Sequence, residues 1–163
     1  LRPVGRLDKD SEGLLLMTDD GAFINMLTHP SGGVGKLYRV TVNPRATEQQ
    51  IIEMSSGVVL DDGVKTKPCV IHVVVDEPGR SVLEITLHEG RNRQIRRMCS
   101  AVGLQVVRLR RSAEGPVKLG MLQPGEYREL KKSEINALRN AAMKSAGKEE
   151  SRAASPARRP GPL

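Results

Sequence analysis

The sequence contains few aromatic residues and few cysteines. It has one Phe, two Tyr and no Trp among 163 residues, so few rings are available to stack on bases. Cys69 and Cys99 lie in apolar segments without a second ligand at metal spacing, and the three His residues form no ligand pattern. We therefore expect buried free thiols in a reducing compartment, and no metal site.

Long apolar runs are also lacking. No segment approaches the roughly 20 apolar residues that span a membrane, and no signal peptide is evident. These absences predict a soluble, cytoplasmic protein without a membrane partner. The chain starts at Leu1 rather than Met, and a sharp motif lies within its first eight residues. We therefore expect a piece of a longer protein whose N-terminal portion is missing.

Positive charge is in excess, since 26 Lys and Arg face 19 Asp and Glu, for a net charge of +7. Such an excess suits a polyanionic partner, although a solvated basic surface explains it equally well. From about Lys144 onward the chain offers little to bury, which predicts a disordered basic tail over 144–163. Residues 1–143 are predicted to form one domain.

The hydrophobic patterns predict a mixed α+β domain. A short apolar run at 13–18 is typical of a strand buried on both faces. Alternation and turn signals predict further strands over 36–42, 68–75, 81–87, 106–110 and 126–130. Helical periodicity and capping signals predict helices over 22–27, 47–57, 92–102 and 133–143.

The segment Gly5-Arg6-Leu7-Asp8-Lys9-Asp10-Ser11-Glu12-Gly13 is the first candidate site. It places three carboxylates and two cations ahead of a predicted strand. A carboxylate in that position is suited to be a nucleophile or a turn residue, and local chemistry alone favours the turn. Asp10 and Glu12 are expected to be ordinary solvated acids.

The predicted helix over 92–102 is the second candidate. Arg93, Arg96 and Arg97 lie opposite its apolar face. Positive side chains at a helix N-terminus are unfavourable unless a carboxylate or phosphate sits there; an exposed basic face is the alternative. Three further arginines extend the positive surface one strand later, namely Arg108, Arg110 and Arg111. Tyr38, on the apolar side of a predicted strand, would by itself indicate core packing.

Together these segments resemble the rRNA pseudouridine synthases of the RsuA/RluB type, over about Arg2 to Leu138. The motifs that carry the resemblance occur in the family's order: Pro3-Val4-Gly5-Arg6-Leu7-Asp8, Gly13-Leu14-Leu15-Leu16, Thr18-Asp19-Asp20-Gly21, Lys36-Leu37-Tyr38-Arg39-Val40, Glu89-Gly90-Arg91-Asn92-Arg93-Gln94-Ile95-Arg96-Arg97-Met98, Gly115-Pro116-Val117-Lys118-Leu119-Gly120 and Leu122-Gln123-Pro124-Gly125-Glu126-Tyr127-Arg128. The resemblance implies an α+β fold with a mixed, mainly antiparallel sheet, flanking helices and a central cleft.

The resemblance also implies an activity and a catalytic set. The family isomerises uridine in folded RNA to pseudouridine by breaking the glycosidic bond, turning the base and rejoining it through carbon, without a cofactor. Asp8 matches the Asp that attacks the ribose C1′. Tyr38 matches the Tyr near the base that is suited to proton transfer. Arg96 matches the basic residue that pairs with the Asp and keeps it ionised.

The expected RNA contacts surround an extruded nucleotide, because the reacting bond is inaccessible inside a stacked helix. Arg6 matches the Arg beside the nucleophile that holds RNA, and Ile95 would contact the flipped base. The remaining expected contacts are basic residues: Lys36, Arg91, Arg93, Arg97, Arg108 and Arg110.

The expected partner is ribosomal RNA or a ribosomal assembly intermediate, bound by a monomer. The sequences of residues 91–97 and of the Pro-Gly-Glu-Tyr-Arg segment look closer to the large-subunit branch of the family. They therefore favour large-subunit (23S) over small-subunit (16S) rRNA. Two rivals stay open at this point. One is a noncatalytic RNA-binding module in which Asp8 is a turn residue, and the other is a hydrolase that uses Asp8 with Asp10 or Glu12.

Overall fold

The computed structural model describes residues 1–29 and 33–154. Over these residues the chain forms eight strands and four helices: β1 Arg2–Pro3, β2 Glu12–Gly13, β3 Met17–Thr18, α1 Gly21–Thr28, β4 Lys36–Asn43, α2 Glu48–Ser56, β5 Val70–Glu77, β6 Arg80–Leu87, α3 Gln94–Ala101, β7 Gln105–Glu114, β8 Val117–Lys118 and α4 Lys132–Ala154. The predicted α+β class is confirmed.

A six-stranded sheet in the order β2-β7-β4-β6-β5, with β8 paired to β7, is the centre of the fold. Among the described strand pairs, β2 and β7 run parallel and the others run antiparallel. β4 lies in the middle, paired to β6 on one side and to β7 on the other. The sheet is therefore mixed and mainly antiparallel, as the resemblance implies.

Local sequence explains where several elements begin. The capping box predicted at Thr47 is formed: its hydroxyl accepts a hydrogen bond from the Gln50 N–H, and the Gln50 side chain accepts one from the Thr47 N–H. α3 begins later than predicted, because Arg93 adopts a left-handed conformation with φ of 51°. That conformation is uncommon for a residue with a side chain, and it lies beside the site described below.

Two apolar clusters hold the described residues together. One packs the sheet against α2 and α3 and includes Val40, Leu83 and Met98. The other joins α1 and α4 to the first strands and includes Phe23 and Leu138. Fully burying a side chain of this kind stabilises a fold by roughly 1.5–3 kcal/mol. The clusters fix two walls, and the candidate site lies between them.

The first predicted strand differs from the structure. The run 13–18 is divided between β2 and β3, and it alternates: Leu14 and Leu16 are buried, whereas Leu15 and Met17 are 38% and 53% exposed. One face of this segment is therefore buried, not two. The reason is that the run lies at the margin of the sheet, with α1 and α4 covering a single side.

Two further predictions about the C-terminal part are wrong. Residues 126–130 form no strand, and Tyr127 is 90% exposed. α4 continues to Ala154 instead of ending near Met143, so residues 144–154 of the predicted disordered tail are helical. Ala-rich sequence favours helix without requiring burial. Residues 155–163 of that tail lie outside the described residues.

Candidate active site

A pocket of about 560 Å³ lies between the two apolar clusters. Leu27 and Val34 of one cluster line it, as do Ile95 and Leu109 of the other. Asp8 and Tyr38 both line this same pocket. The structure therefore brings together the carboxylate and the phenol that the resemblance implies for the chemistry.

Positive side chains surround this pocket. Its cationic lining residues are Arg6, Lys36, Lys67, Arg91, Arg93 and Arg111. Five of the expected RNA contacts thus lie at the pocket: Arg6, Lys36, Arg91, Arg93 and Ile95. Three others, Arg97, Arg108 and Arg110, are not among its lining residues.

The loop that carries Asp8 is held by arginines at the start of α3 and on β7. Arg93 Nη1 lies 3.3 Å from Asp10 Oδ2, and Arg108 forms an ion pair with Glu12. Within the loop, the Ser11 N–H donates to the Asp8 carbonyl at 3.0 Å. The Asp10 and Glu12 side chains are 49% and 40% exposed, as expected of solvated acids, and each also pairs with an arginine that anchors the loop.

Arg96 occupies a different place from the one predicted. Its Nη2 donates to the backbone carbonyl of Asp10 at 2.7 Å, and its buried Nε has no hydrogen-bond partner. No ion pair joins Arg96 to Asp8 within the part of the chain that the structure describes. Arg96 therefore holds the loop two residues away from Asp8 rather than the carboxylate itself.

Arg97 is also engaged by the protein's own carboxylates. Its Nη2 lies 2.7 Å from Asp61 Oδ1 and 2.9 Å from Asp62 Oδ2. With Arg93 paired to Asp10, two of the three arginines predicted opposite the apolar face, Arg93 and Arg97 but not Arg96, have an acidic partner. The anion expected near this helix N-terminus is thus supplied in part by the protein.

Tyr38 packs partly buried against the first apolar cluster. Burial raises the pKa of its hydroxyl, and the positive charge of Arg111 opposes that rise. Glu114 and Asp8 act on the Tyr38 pKa in the raising direction. Burial likewise lowers the pKa of Lys36, while Glu114 opposes this change. Tyr38 is therefore a neutral phenol at neutral pH, within electrostatic reach of Asp8.

Arg111 and Glu114 are the pair that sequence reasoning missed. Arg111 was expected on the positive surface, but it is 2% exposed, and its Nη2 lies 3.0 Å from Oε1 of Glu114, itself 1% exposed. Strand alternation was the available signal. Leu109, Arg111 and Ala113 share one face of β7, and that face is buried.

The two cysteines agree with the sequence-based prediction in part. Both cysteines are free, but Cys99 is buried and Cys69 only partly so. Burial raises the pKa of Cys69 to about 11 and that of Cys99 to about 12, so neither is a reactive thiolate.

In the described ranges no group of side chains could hold a metal ion. None of the described helices is long and apolar enough to cross a membrane.

Comparison with known proteins agrees with this geometry. The chain is 43% identical over 136 residues to an uncharacterized RNA pseudouridine synthase of Aquifex aeolicus, covering 83% of this chain and 54% of that one. It is 39% identical over 142 residues to the ribosomal large subunit pseudouridine synthase B of Bacillus subtilis, covering 86% and 58%. The chain thus spans a little over half the length of these relatives.

A solved structure and a family model also show similarity to pseudouridylate synthases. The crystal structure of a pseudouridylate synthase superposes with a TM-score of 0.78 at 37% identity, covering 83% of this chain and 58% of that one. The model of the RNA pseudouridylate synthase family matches residues 1–101, which include Asp8, Tyr38 and α3. The chain therefore belongs to the RNA pseudouridylate synthase family.

Proposed function

We propose that this protein converts a uridine of ribosomal RNA to pseudouridine, with Asp8 as the nucleophile and without a cofactor. The observation that carries the proposal is that Asp8 and Tyr38 line one pocket with a cationic margin. A volume of about 560 Å³ is in the usual range for a small-molecule site, roughly 300–1,000 Å³. Such a pocket suits a single extruded nucleotide rather than a stacked helix.

The proposed reaction uses side chains that line the pocket. The Asp8 carboxylate attacks the ribose C1′, and the bond from C1′ to N1 of the base breaks with its electron pair on the base. The base turns, its C5 bonds to C1′, and Asp8 leaves as a carboxylate. The proton on C5 is removed and N1 gains one, so atoms and charge balance without an oxidant or a reductant.

Tyr38 is proposed to carry the proton from C5 to N1: its hydroxyl gives its own proton to N1 and accepts the C5 proton. Burial keeps its resting side chain a neutral phenol, which can lie against an uncharged base. The charge of Arg111 lowers the pKa of Tyr38 against that burial and so favours phenolate when a proton is to be removed. Arg6, Lys36, Arg91 and Arg93 are proposed to hold the phosphates on either side of the extruded nucleotide.

The substrate follows from charge and from relatives. A +7 chain with a cationic pocket margin fits RNA. The relative from Bacillus subtilis is named for the ribosomal large subunit, which supports large-subunit rRNA over small-subunit rRNA. We propose a cytoplasmic monomer that acts on this RNA or on an assembly intermediate.

The decisive experiment uses ribosomal RNA transcribed in vitro, which carries no modification. The full-length protein and its Asp8→Asn variant are incubated with this RNA, and pseudouridines are mapped. Wild type is expected to modify a defined uridine, and Asp8→Asn to lose at least about a thousandfold in rate. Asp19→Asn, which removes an exposed carboxylate outside the pocket lining, is the control and is expected to keep full activity.

The two rivals give different results in this assay. A noncatalytic RNA-binding module would bind the transcript and modify no uridine. A hydrolase would cleave the RNA and require Asp10 or Glu12, yet neither residue lines the pocket and both pair with arginines. Full isomerisation by Asp8→Asn would show that the assignment of the nucleophile is wrong.

A further inference from the structure

A buried arginine lies between β4, which carries Tyr38, and β2, which follows the loop of Asp8. Arg111 of β7 pairs by Cα register with Gly13 of β2 on one side and with Tyr38 of β4 on the other. Both neighbours are therefore placed relative to one residue. Its side chain is 2% exposed and also lines the pocket.

The Arg111 guanidinium contacts both ends of the loop that carries Asp8. Its Nε donates to the Leu14 carbonyl at 2.8 Å, and its Nη1 donates more weakly to the Arg6 carbonyl at 3.4 Å. The Leu14 N–H in turn donates to the Arg111 carbonyl at 2.8 Å. Asp8 lies between the two carbonyls in sequence, so one planar group spans the base of its loop.

Glu114 limits the orientation of that group. Its Oε1 lies 3.0 Å from Arg111 Nη2, and Glu114 also pairs by register with Lys36. The buried pair is imperfect, because neither Nη2 nor Oε1 forms an aligned hydrogen bond. A buried ion pair of this kind usually stabilises a fold no better than apolar residues of similar volume. A stability role alone therefore does not account for it.

We infer that Arg111, oriented by Glu114, is a positioning residue that holds Asp8 at a fixed distance from Tyr38 across the pocket. It positions Asp8 through the Leu14 and Arg6 carbonyls, in addition to its charge beside Tyr38, and does not act on the substrate. The test of this inference that measures turnover rests on the proposed function. Displacing reacting groups by about 1 Å can cost on the order of a hundredfold in rate.

The test replaces the pair together, as Arg111→Met/Glu114→Leu, so that neither charge of the pair stays buried without the other. We expect the double variant to fold with a melting temperature close to that of wild type. Its kcat on unmodified rRNA transcript should fall about a hundredfold, while KM stays within about threefold. The matched control is Arg45→Met/Asp76→Leu, which removes an exposed ion pair far along the sheet and should keep kcat and KM.

Hydrogen exchange gives a readout that does not depend on activity. The amides of Ser11 and Leu14 donate within this loop and to Arg111, so both should exchange at least about tenfold faster in the double variant. Amides of the β4–β6 ladder should not change. If the double variant fails to fold, Arg111→Lys retains the charge without the fork of donors, and it should lose about tenfold in kcat.

The outcomes separate this inference from the proposed function. A wild-type protein that modifies no uridine refutes the proposed function, and the exchange rates still decide whether Arg111 holds the loop. Unchanged exchange at Ser11 and Leu14 overturns the inference. So does a wild-type kcat in the folded double variant, or a rise in KM as large as the fall in kcat, which would make Arg111 a binding residue.

Discussion

Gly13 lies so close to the backbone of Arg111 that a Cβ atom at Gly13 would overlap the Arg111 carbonyl oxygen. Gly13 also has φ of 115°, a conformation that side chains rarely adopt. The close approach lets β2 pair in parallel with β7 and sets the loop of Asp8 against the sheet. A glycine is therefore required where the site meets the sheet.

Gly13→Ala should destabilise the fold by roughly 3 kcal/mol, from strained backbone and overlap together. Urea unfolding measures the loss. Gly63→Ala is the matched control, because Gly63 has φ of 84° but nothing within 4 Å of an added Cβ, and it should cost only about 1–2 kcal/mol. Equal losses would show that the contact with Arg111 is unimportant.

Arg96→Ala should lower turnover more than RNA affinity. Arg96 donates to the Asp10 carbonyl, so its removal should loosen the nucleophile loop and lower kcat by roughly tenfold to a hundredfold, with Kd changed little. Single-turnover rates and filter binding separate the two. Arg80→Ala, which breaks an exposed ion pair with Glu77, is the control. Parallel losses of rate and affinity would identify Arg96 as a phosphate contact instead.

Arg91→Gln should flatten the salt dependence of RNA binding. Arg91 lines the pocket and pairs with a single carboxylate, that of Glu89, whereas Arg97 lies outside the pocket lining. Each lost phosphate contact reduces the slope of log K against log salt by about 0.7–0.9. Arg97→Gln should leave the slope unchanged, because Asp61 and Asp62 already neutralise that guanidinium. Binding isotherms at several salt concentrations test both. A reversed order of the two variants would refute this division of the arginines.

Glu134 should make the fold sensitive to acid. Hydrogen bonds from Arg128 lower the Glu134 pKa from 4.5 to about 2, with help from the Lys131 N–H. A lowered folded-state pKa stabilises the fold above about pH 4.5, and that contribution is lost as the pH falls toward 2. Glu134→Gln should therefore lose less melting temperature than wild type between pH values near 5 and near 3. Glu53→Gln on α2 is the control and should follow wild type.

Local sequence was sufficient to predict the elements that depend on local chemistry. The box at Thr47 and Gln50 specified the start of α2, and alternation specified β4, with Tyr38 on the same side as Val40. The strand predicted over 126–130 does not form, because no described strand lies beside this segment to pair with it. Periodicity predicts which residues can share a face, whereas strand pairing depends on what lies beside them.

The candidate site could be predicted in its members but not in its contacts. Motif order identified Asp8 and Tyr38, which do line one pocket. Motif order could not show that Arg96 would donate to a backbone carbonyl. Both Arg93 and Arg96 contact Asp10, and the sequence does not determine which arginine takes the carboxylate and which the carbonyl. Nor did it place Arg111 inside, since a buried arginine is rare unless a partner such as Glu114 accompanies it.

The parallel pairing of β2 with β7 has a consequence for the order of folding. It joins residues far apart in the chain: Arg111 and Leu14 are separated by 97 positions, whereas the β5–β6 hairpin closes over a tight turn at Pro78 and Gly79. Contacts between residues far apart in the chain form late. Closing the intervening loop costs conformational entropy before such contacts can stabilise the structure. We therefore expect the β5–β6 hairpin to form early in folding, while the Asp8 loop is still undocked. The segment that joins last is then also the first to open in the native protein, so this protein would become inactive by local opening well before it melts.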